Sequence, residues 1–173
     1  MDNKNKVLKI LFENPTYSFH LRELARKGKV HPNSLIRITD KLKGEGIITK
    51  NKKKHLIEIK LNLENEKTIF VKKIENLKRV FDSGLLSYLK EKYSPSSITL
   101  IGSYSRGEDI EKSDVDIVIS SEIKKQFDLE KFERKLKRKI HILIPSKKDI
   151  TREFFNNLIN GVTLYGGIKN EAV

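Results

Sequence analysis

The sequence predicts an α+β protein built from two different parts. The first part shows three runs of apolar residues at helical spacing followed by a basic hairpin, and the second alternates short apolar strands with helices. The composition shifts near residue 62, where we place the main boundary. We therefore expect a basic domain over residues 1–62, a connecting helix over 63–84, and a mixed β-sheet flanked by helices over 85–173.

Overall composition describes a foldable chain without disulfides. Of the 173 residues, 37% are apolar and 34% are charged, and there is no cysteine, which excludes a disulfide framework and cysteine-ligated zinc. No apolar run approaches the ~20 residues that a membrane span needs. The first residues lack the apolar region of a signal peptide. We therefore expect a cytoplasmic protein with no membrane partner.

Positive charge is concentrated at the N-terminal end. The net charge is +13, and residues 1–62 hold 15 Lys or Arg against 6 Asp or Glu, whereas the remainder holds 21 against 17. A localised excess of this size favours a polyanionic partner, most often nucleic acid. The alternative is that lysine serves general solubility.

The elements of the first part follow from apolar spacing and from helix-breaking residues. A helix over 4–13 ends before Pro15, which disfavours helical geometry in the preceding residue. A short helix over 20–28 ends at Gly28, and Pro32 opens a third helix over 32–43. Leu35, Ile38 and Leu42 form the apolar stripe of that third helix. A basic turn and a strand over 56–61 complete the pattern.

This order of helix, short helix, helix and basic hairpin resembles a MarR- or ArsR-type winged helix-turn-helix domain. The resemblance implies that the third helix enters the major groove of DNA, with Thr39 or Asp40 as further contacts, while the turn follows a phosphate backbone. Winged helices also serve as protein-protein modules, so that alternative stays open. The DNA-binding candidates are Asn33, Ser34, Arg37 and Lys41 on the helix, and Lys50, Lys52, Lys53 and Lys54 in the turn.

The connecting helix carries a second apolar stripe. Phe70, Ile74, Leu77 and Phe81 recur at spacings of four, three and four residues. Such a stripe is either part of a core or the seam of a homodimer, and the sequence leaves both open.

The stretch "GSYSRGEDIEKSDVDIVI" carries the chemistry. Ile98 to Ile101 form a strand, Gly102-Ser103 turn the chain at its end, and Asp114 and Asp116 lie on one face of the next strand. Paired carboxylates are suited to Mg²⁺, which keeps positions open for phosphate oxygens. A glycine turn lets backbone N–H groups approach a triphosphate.

The pattern G-S-x-x-R-G-x6-D-x-D resembles the signature of the polymerase-β-like nucleotidyltransferase superfamily, in particular its minimal branch. The resemblance covers about residues 85–166, including later helices and a third strand, "RKIHILI". It implies that Asp114 and Asp116 bind Mg²⁺ or Mn²⁺, that Ser103 contacts the phosphates of a nucleoside triphosphate (NTP), and that Gly102 makes room. The nucleotide-binding candidates are Gly102, Ser103, Arg106 and Ser113, although Arg106 has Glu108 as an alternative partner.

One position departs from the superfamily pattern. Members usually carry a third carboxylate on the third strand, and His141 occupies that place. Imidazole is a poor ligand for Mg²⁺ but an acceptable one for Mn²⁺ or Zn²⁺. Because histidine titrates near neutral pH, His141 is a candidate catalytic base. The alternative is a weakened or inactive site. Asp149 is expected to cap the final helix instead of replacing the lost acid.

Three hypotheses about function follow. In the first, the protein binds DNA and transfers a nucleoside monophosphate from NTP to a hydroxyl. Relatives of the minimal branch commonly act as antitoxins that modify a HEPN-type partner. In the second, it is a transcriptional regulator whose degenerate transferase domain senses nucleotides or dimerises. In the third, the basic domain holds an RNA substrate and the catalytic domain acts on it. A comparison of DNA binding with RNA binding separates this case, because base readout by a helix needs the wide major groove of B-DNA.

Overall fold

The computed structural model describes residues 2–53 and 56–167 of the chain. The chain divides into two compact units, Met1–Lys72 and Lys73–Val173. The division falls within one helix, which we call α4 and which spans Glu66–Ser83. Within the described residues, no helix is both long and apolar enough to cross a membrane.

The first unit combines three helices with a small antiparallel sheet. The helices are α1 (Asn3–Glu13), α2 (Leu21–Gly28) and α3 (Pro32–Gly44). The strands are β1 (Phe19–His20), β2 (Ile48–Lys53) and β3 (Leu56–Leu61), in the order β1-β3-β2. The two-residue strand β1 was missed by the sequence analysis, since a run that short carries no alternation.

The apolar faces of the three helices pack against this sheet. Val7 and Leu11 of α1, Leu24 of α2, Leu35 and Leu42 of α3 are fully buried together. One detail of α3 differs from the expectation. Thr39, which the sequence offered as a DNA contact, is fully buried, and its hydroxyl donates to the carbonyl of Ile36. Ile38 is only partly buried.

Helix α4 leaves most of its apolar stripe in solvent. Phe70, in the first unit, is 63% exposed, and Ile74 and Phe81, in the second, are 50% and 72% exposed. Leu77 alone packs partly against the core of the second unit. The α4 side chains that the second unit buries are instead Asn76 and Val80. The alternative that the stripe belongs to a core is therefore wrong for Phe70, Ile74 and Phe81.

The second unit is a mixed sheet flanked by helices, as the sequence predicts. Its order is β6-β5-β4-β7, with β4 antiparallel to β5 and β7, and β5 parallel to β6. A 3₁₀ turn at Lys147–Asp149 precedes the last helix. The strands are β4 (Ser97–Ile101), β5 (Val115–Ser120), β6 (Ile140–Leu143) and β7 (Val162–Gly166), and the helices are α5 (Leu85–Tyr93), α6 (Gly102–Arg106), α7 (Glu130–Leu136) and α8 (Arg152–Ile159).

One face of the two central strands, β4 and β5, is apolar. Ile98, Leu100, Ile117 and Ile119 have no exposed surface, because helices cover the sheet. Helix α8 begins differently from the expectation. Thr151 is its N-cap, accepting from the backbone N–H of Phe154, whereas Asp149 accepts from Ser146 within the preceding turn.

Candidate functional site

Backbone pairing brings the candidate residues into one row at one end of the sheet. Asp116 lies opposite Ile101 in the β4–β5 pair and opposite His141 in the β5–β6 pair. Gly102 and Ser103 follow Ile101 directly, at the start of α6. Residues that are far apart in sequence thus meet because their strands are neighbours with a fixed register.

Gly102 and Asp116 are in close contact. Gly102 has φ +74°, a left-handed backbone that glycine adopts without strain. A Cβ at this position would lie 2.7 Å from Oδ2 of Asp116. The glycine therefore both turns the chain and makes room for the carboxylate. Helix α6 begins at Gly102 itself, directly after the strand.

The two carboxylates occupy different environments. Asp114 is exposed and lies just before β5, whereas Asp116 is within the strand and half-buried. Burial raises the pKa of the Asp116 carboxyl above its ordinary value, nearby His141 lowers it, and the charge of Asp114 raises it again. Ionised Asp116 is therefore disfavoured by its surroundings, and a cation beside both carboxylates would relieve that cost.

His141 extends the row on the edge strand. Its Nδ1 lies 3.7 Å from Oδ1 of Asp116, and its side chain is 70% exposed. At that distance the contact is an ion pair only when the imidazole is protonated, and it is too long for a hydrogen bond. The imidazole thus lies beside the Asp116 carboxylate while remaining exposed to solvent.

Three other candidate residues lie between β4 and β5, either in helix α6 or in the loop that follows it. Arg106 is exposed, and its Nε donates to Glu108 at 2.7 Å. The Ser113 hydroxyl accepts from the backbone N–H of Ile110 at 3.0 Å. Ser103 is partly exposed in the first turn of α6, beside Gly102. Of these, Ser103 lies closest in the chain to the row of strand ends.

The candidate metal ligands suit a hard cation, but they are few in number. Asp114 and Asp116 supply carboxylate oxygens, the ligands that Mg²⁺ and Mn²⁺ accept. Among residues 2–53 and 56–167, no group of three or more His, Asp or Glu side chains is arranged to hold a metal ion. Two carboxylates fit a metal whose remaining positions are taken by water and phosphate oxygens.

A groove of about 550 Å³ is lined in part by His141 and its neighbours on β6. Its walls combine aromatic and branched apolar side chains with carboxylates: Tyr93, Phe127, Ile140, Ile142, Ile144, Asp128, Glu130 and Glu133. The Phe127 ring meets the Tyr93 ring edge to face, with centroids 5.1 Å apart. Sequence reasoning missed this groove, because its residues come from separate segments of the chain.

The DNA-binding candidates in the first unit are mostly exposed. Asn33, Arg37 and Lys41 lie exposed on α3, and Ser34 is partly exposed. Lys50 differs from the expectation of a free cation, because its Nζ lies 2.6 Å from Oδ1 of Asp40 and its side chain is only 14% exposed. In the basic turn, Lys52 is exposed, Lys53 is the last residue of β2, and Lys54 lies outside the described residues.

Comparisons with known proteins concern the second unit. Residues 83–167 match the nucleotidyltransferase domain family. A protein of Methanocaldococcus jannaschii named "Putative protein adenylyltransferase" is 58% identical over 31 residues, which are 18% of this chain and 31% of that protein. The chain thus spans about a third of that relative's length.

No solved structure matches the chain significantly. The family match covers the glycine turn, both carboxylates and the strand that carries His141. Domains of this family generally use NTP and a divalent metal. Residues 83–167 of the chain are therefore a nucleotidyltransferase domain.

Proposed function

We propose that residues 85–173 bind a nucleoside triphosphate with Mg²⁺ or Mn²⁺ and transfer its nucleoside monophosphate to a hydroxyl. One observation carries this proposal. The half-buried Asp116 carboxylate faces the Gly102 turn on one side and His141 on the other. This arrangement supports a triphosphate held between a backbone turn and a pair of carboxylates, with the acceptor approaching the exposed imidazole.

The proposed reaction exchanges one phosphate linkage for another. The acceptor oxygen attacks the α-phosphorus, the bond from that phosphorus to the bridging oxygen breaks, and pyrophosphate leaves. Asp114 and Asp116 would hold a divalent metal, which would supply neutralisation of the phosphate and leaving-group charge. Ser103 and the backbone at Gly102 orient the triphosphate. His141 takes the proton from the acceptor hydroxyl.

The sequence resemblance suggests the acceptor. A protein hydroxyl is supported by the name of the M. jannaschii relative, and a HEPN-type protein by the antitoxin role common in the minimal branch. A nucleic-acid hydroxyl is the other proposal.

The test begins with nucleotide binding. Calorimetry with ATP, CTP, GTP and UTP, each with and without Mg²⁺ or Mn²⁺, should show metal-dependent binding of at least one. The combined substitution Asp114→Asn and Asp116→Asn keeps side-chain shape and should abolish it. If the wild type binds no nucleotide under any metal, the transferase proposal fails.

A second proposal is that the domain is a degenerate sensor or dimerisation module of a transcriptional regulator. The replacement of the third carboxylate by His141 supports it, as does the small donor set of the described residues. The two proposals differ in whether the domain consumes NTP and releases pyrophosphate. A sensor would bind NTP reversibly and would release no pyrophosphate with any acceptor, so a pyrophosphate assay on the wild type separates them.

We also propose that residues 1–62 bind DNA as a winged helix-turn-helix domain. The three helices and the antiparallel β2–β3 pair support this, together with the exposed side chains of Arg37 and Lys41 on α3. Fluorescence anisotropy with duplex DNA and duplex RNA tests it. Arg37→Ala should weaken binding to duplex DNA about tenfold or more if it contacts a base edge. Tighter binding to RNA would favour the third hypothesis.

Homodimerisation through α4 stays a prediction. The exposure of Ile74 and Phe81 supports it, because large exposed apolar side chains in one stripe are typical of interfaces. Analytical ultracentrifugation should show a dimer that Ile74→Ser with Phe81→Ser converts to a monomer. A monomeric wild type would contradict it.

A further inference from the structure

We propose that Asp109, Arg138 and Asn76 form a buried positioning cluster for the candidate site. The proposal rests on the nucleotide-binding function proposed for that site. The cluster fixes the segment 107–114, which joins the glycine turn to Asp114 and contains no helix or strand. The register of β4 and β5 fixes the position of Asp116, but Asp114 lies at the end of this irregular segment, before β5 begins.

The three side chains are among the most buried polar groups of the second unit. Asp109 and Asn76 are each 1% exposed, and Arg138 is 7% exposed. One oxygen of Asp109 accepts from Asn76 Nδ2 at 2.6 Å, and the other accepts from Arg138 Nη2 at 3.3 Å. Both carboxylate oxygens thus have defined donors.

The donors come from elements that bear directly on the site. Asn76 belongs to α4, and its Nδ2 also donates to the carbonyl of Tyr104 in α6, at 3.0 Å. Arg138 lies two residues before β6, the strand that carries His141. A single carboxylate, Asp109, therefore links the loop to the helix that begins at Gly102 and to the strand that presents His141.

Stability alone does not explain a buried ion pair at this place. Taking two charges out of water is costly, and apolar residues of similar volume often give equal or greater stability. A pair with defined donor geometry does supply directional restraint on an irregular loop. The geometry therefore favours a role in holding Asp114 near Asp116, in addition to any contribution to folding.

The decisive variant replaces the pair with apolar residues, Asp109→Leu with Arg138→Met. Removing both charges avoids an uncompensated buried charge, so the fold is expected to persist. Hydrogen exchange should speed up about tenfold or more in segment 107–114, while β4 and β5 keep their protection. Affinity for metal-bound NTP should fall about tenfold. The matched control, Lys78→Gln with Asp82→Asn, removes an exposed ion pair of α4 and should change neither quantity.

A second variant covers the case in which the apolar pair prevents folding. Asp109→Asn with Arg138→Gln leaves no buried charge and keeps one acceptor oxygen toward Asn76, and it should give smaller changes of the same kind. Unchanged exchange in segment 107–114 with unchanged nucleotide affinity, in a folded variant, overturns the proposal. A wild type that binds no nucleotide defeats the proposed function instead, and the exchange measurement still decides whether the cluster fixes the loop.

Discussion

The two units hold their candidate residues in different ways. In the second, Asp116 is half-buried, lies in a strand, and faces defined neighbours on both sides. In the first, Arg37, Lys41 and Lys52 lie on the surface, and the register of the sheet does not bring them together. A site built on strand ends depends on a few positions, whereas a surface of cations depends on a sum of weak contacts. Single substitutions should therefore have much larger effects in the second unit.

The largest effect is expected at Gly102. Gly102→Ala places a Cβ 2.7 Å from Oδ2 of Asp116 and forces a non-glycine residue to φ +74°. The backbone strain costs about 1–2 kcal/mol of folding free energy. Displacement of the carboxylate should lower the rate of nucleotidyl transfer about a hundredfold.

Gly84 offers a matched control for this substitution. It has φ +80°, and apart from its chain neighbours no atom of the described residues lies within 4 Å of the position of its Cβ. Gly84→Ala should therefore show the loss of stability without the loss of metal-dependent NTP binding. Equal binding losses in the two variants would show that strain, and not the contact with Asp116, explains the effect.

A smaller effect is expected at His141, and it is a gain in affinity for Mg²⁺. His141→Asp adds a third carboxylate opposite Asp116. Affinity for Mg²⁺, measured by calorimetry in the presence of NTP, should rise about tenfold. His141→Asn, which adds no charge, is the control. Unchanged or weaker Mg²⁺ binding in His141→Asp would contradict the placement of this side chain at the metal site.

The same contrast explains which parts of the structure the sequence could predict. The order of strands and helices after residue 97 follows from apolar runs and from the glycine turn, which are local signals. The pairing of Asp116 with His141 follows from the register between neighbouring strands. The cluster around Asp109 had no local signal, because Asn76, Asp109 and Arg138 belong to three distant segments and each is a common surface residue type.

In helix α4, by contrast, a clear apolar pattern did not indicate which side chains are buried. Its periodicity is apolar at Phe70, Ile74 and Phe81, yet those side chains are exposed while Asn76 is buried. Periodicity reports which face is apolar, and it does not say what covers that face. Asn76 is buried because it donates to Asp109 and to Tyr104, which no pattern along a single helix can indicate.

In the first unit, two lysines of the basic turn should differ in their effect on DNA binding. Lys50 is mostly buried against Asp40, whereas Lys52 is exposed. Lys52→Ala should lower the slope of log affinity against log salt by ~0.9, the value for one lost phosphate contact. Lys50→Ala should change that slope less. The measurement is DNA binding at several salt concentrations, and a larger change for Lys50 would refute the assignment.

The smallest expected effect is on alkaline stability, and it probes the packing of the second unit. Burial raises the pKa of Tyr104 to about 12, with opposing influences from Arg79 and Arg138, which lower it, and from Asp109 and Glu75, which raise it. Unfolding returns the phenol to its ordinary pKa of 10.0. Because the pKa is higher in the folded state, the stabilisation is complete below pH 10 and is lost as the pH rises toward 12.

Tyrosinate absorbance measured against pH should therefore show a late step whose amplitude falls in Tyr104→Phe. The substitution should also flatten the loss of stability between pH 10 and 12, while leaving the midpoint of unfolding at neutral pH nearly unchanged. Within the described residues, the Tyr104 hydroxyl has no hydrogen-bond partner, so phenylalanine removes no bond there. Burial also raises the pKa of Tyr93, so the decisive quantity is the amplitude of the late step. An unchanged amplitude in Tyr104→Phe would refute the burial of the Tyr104 phenol.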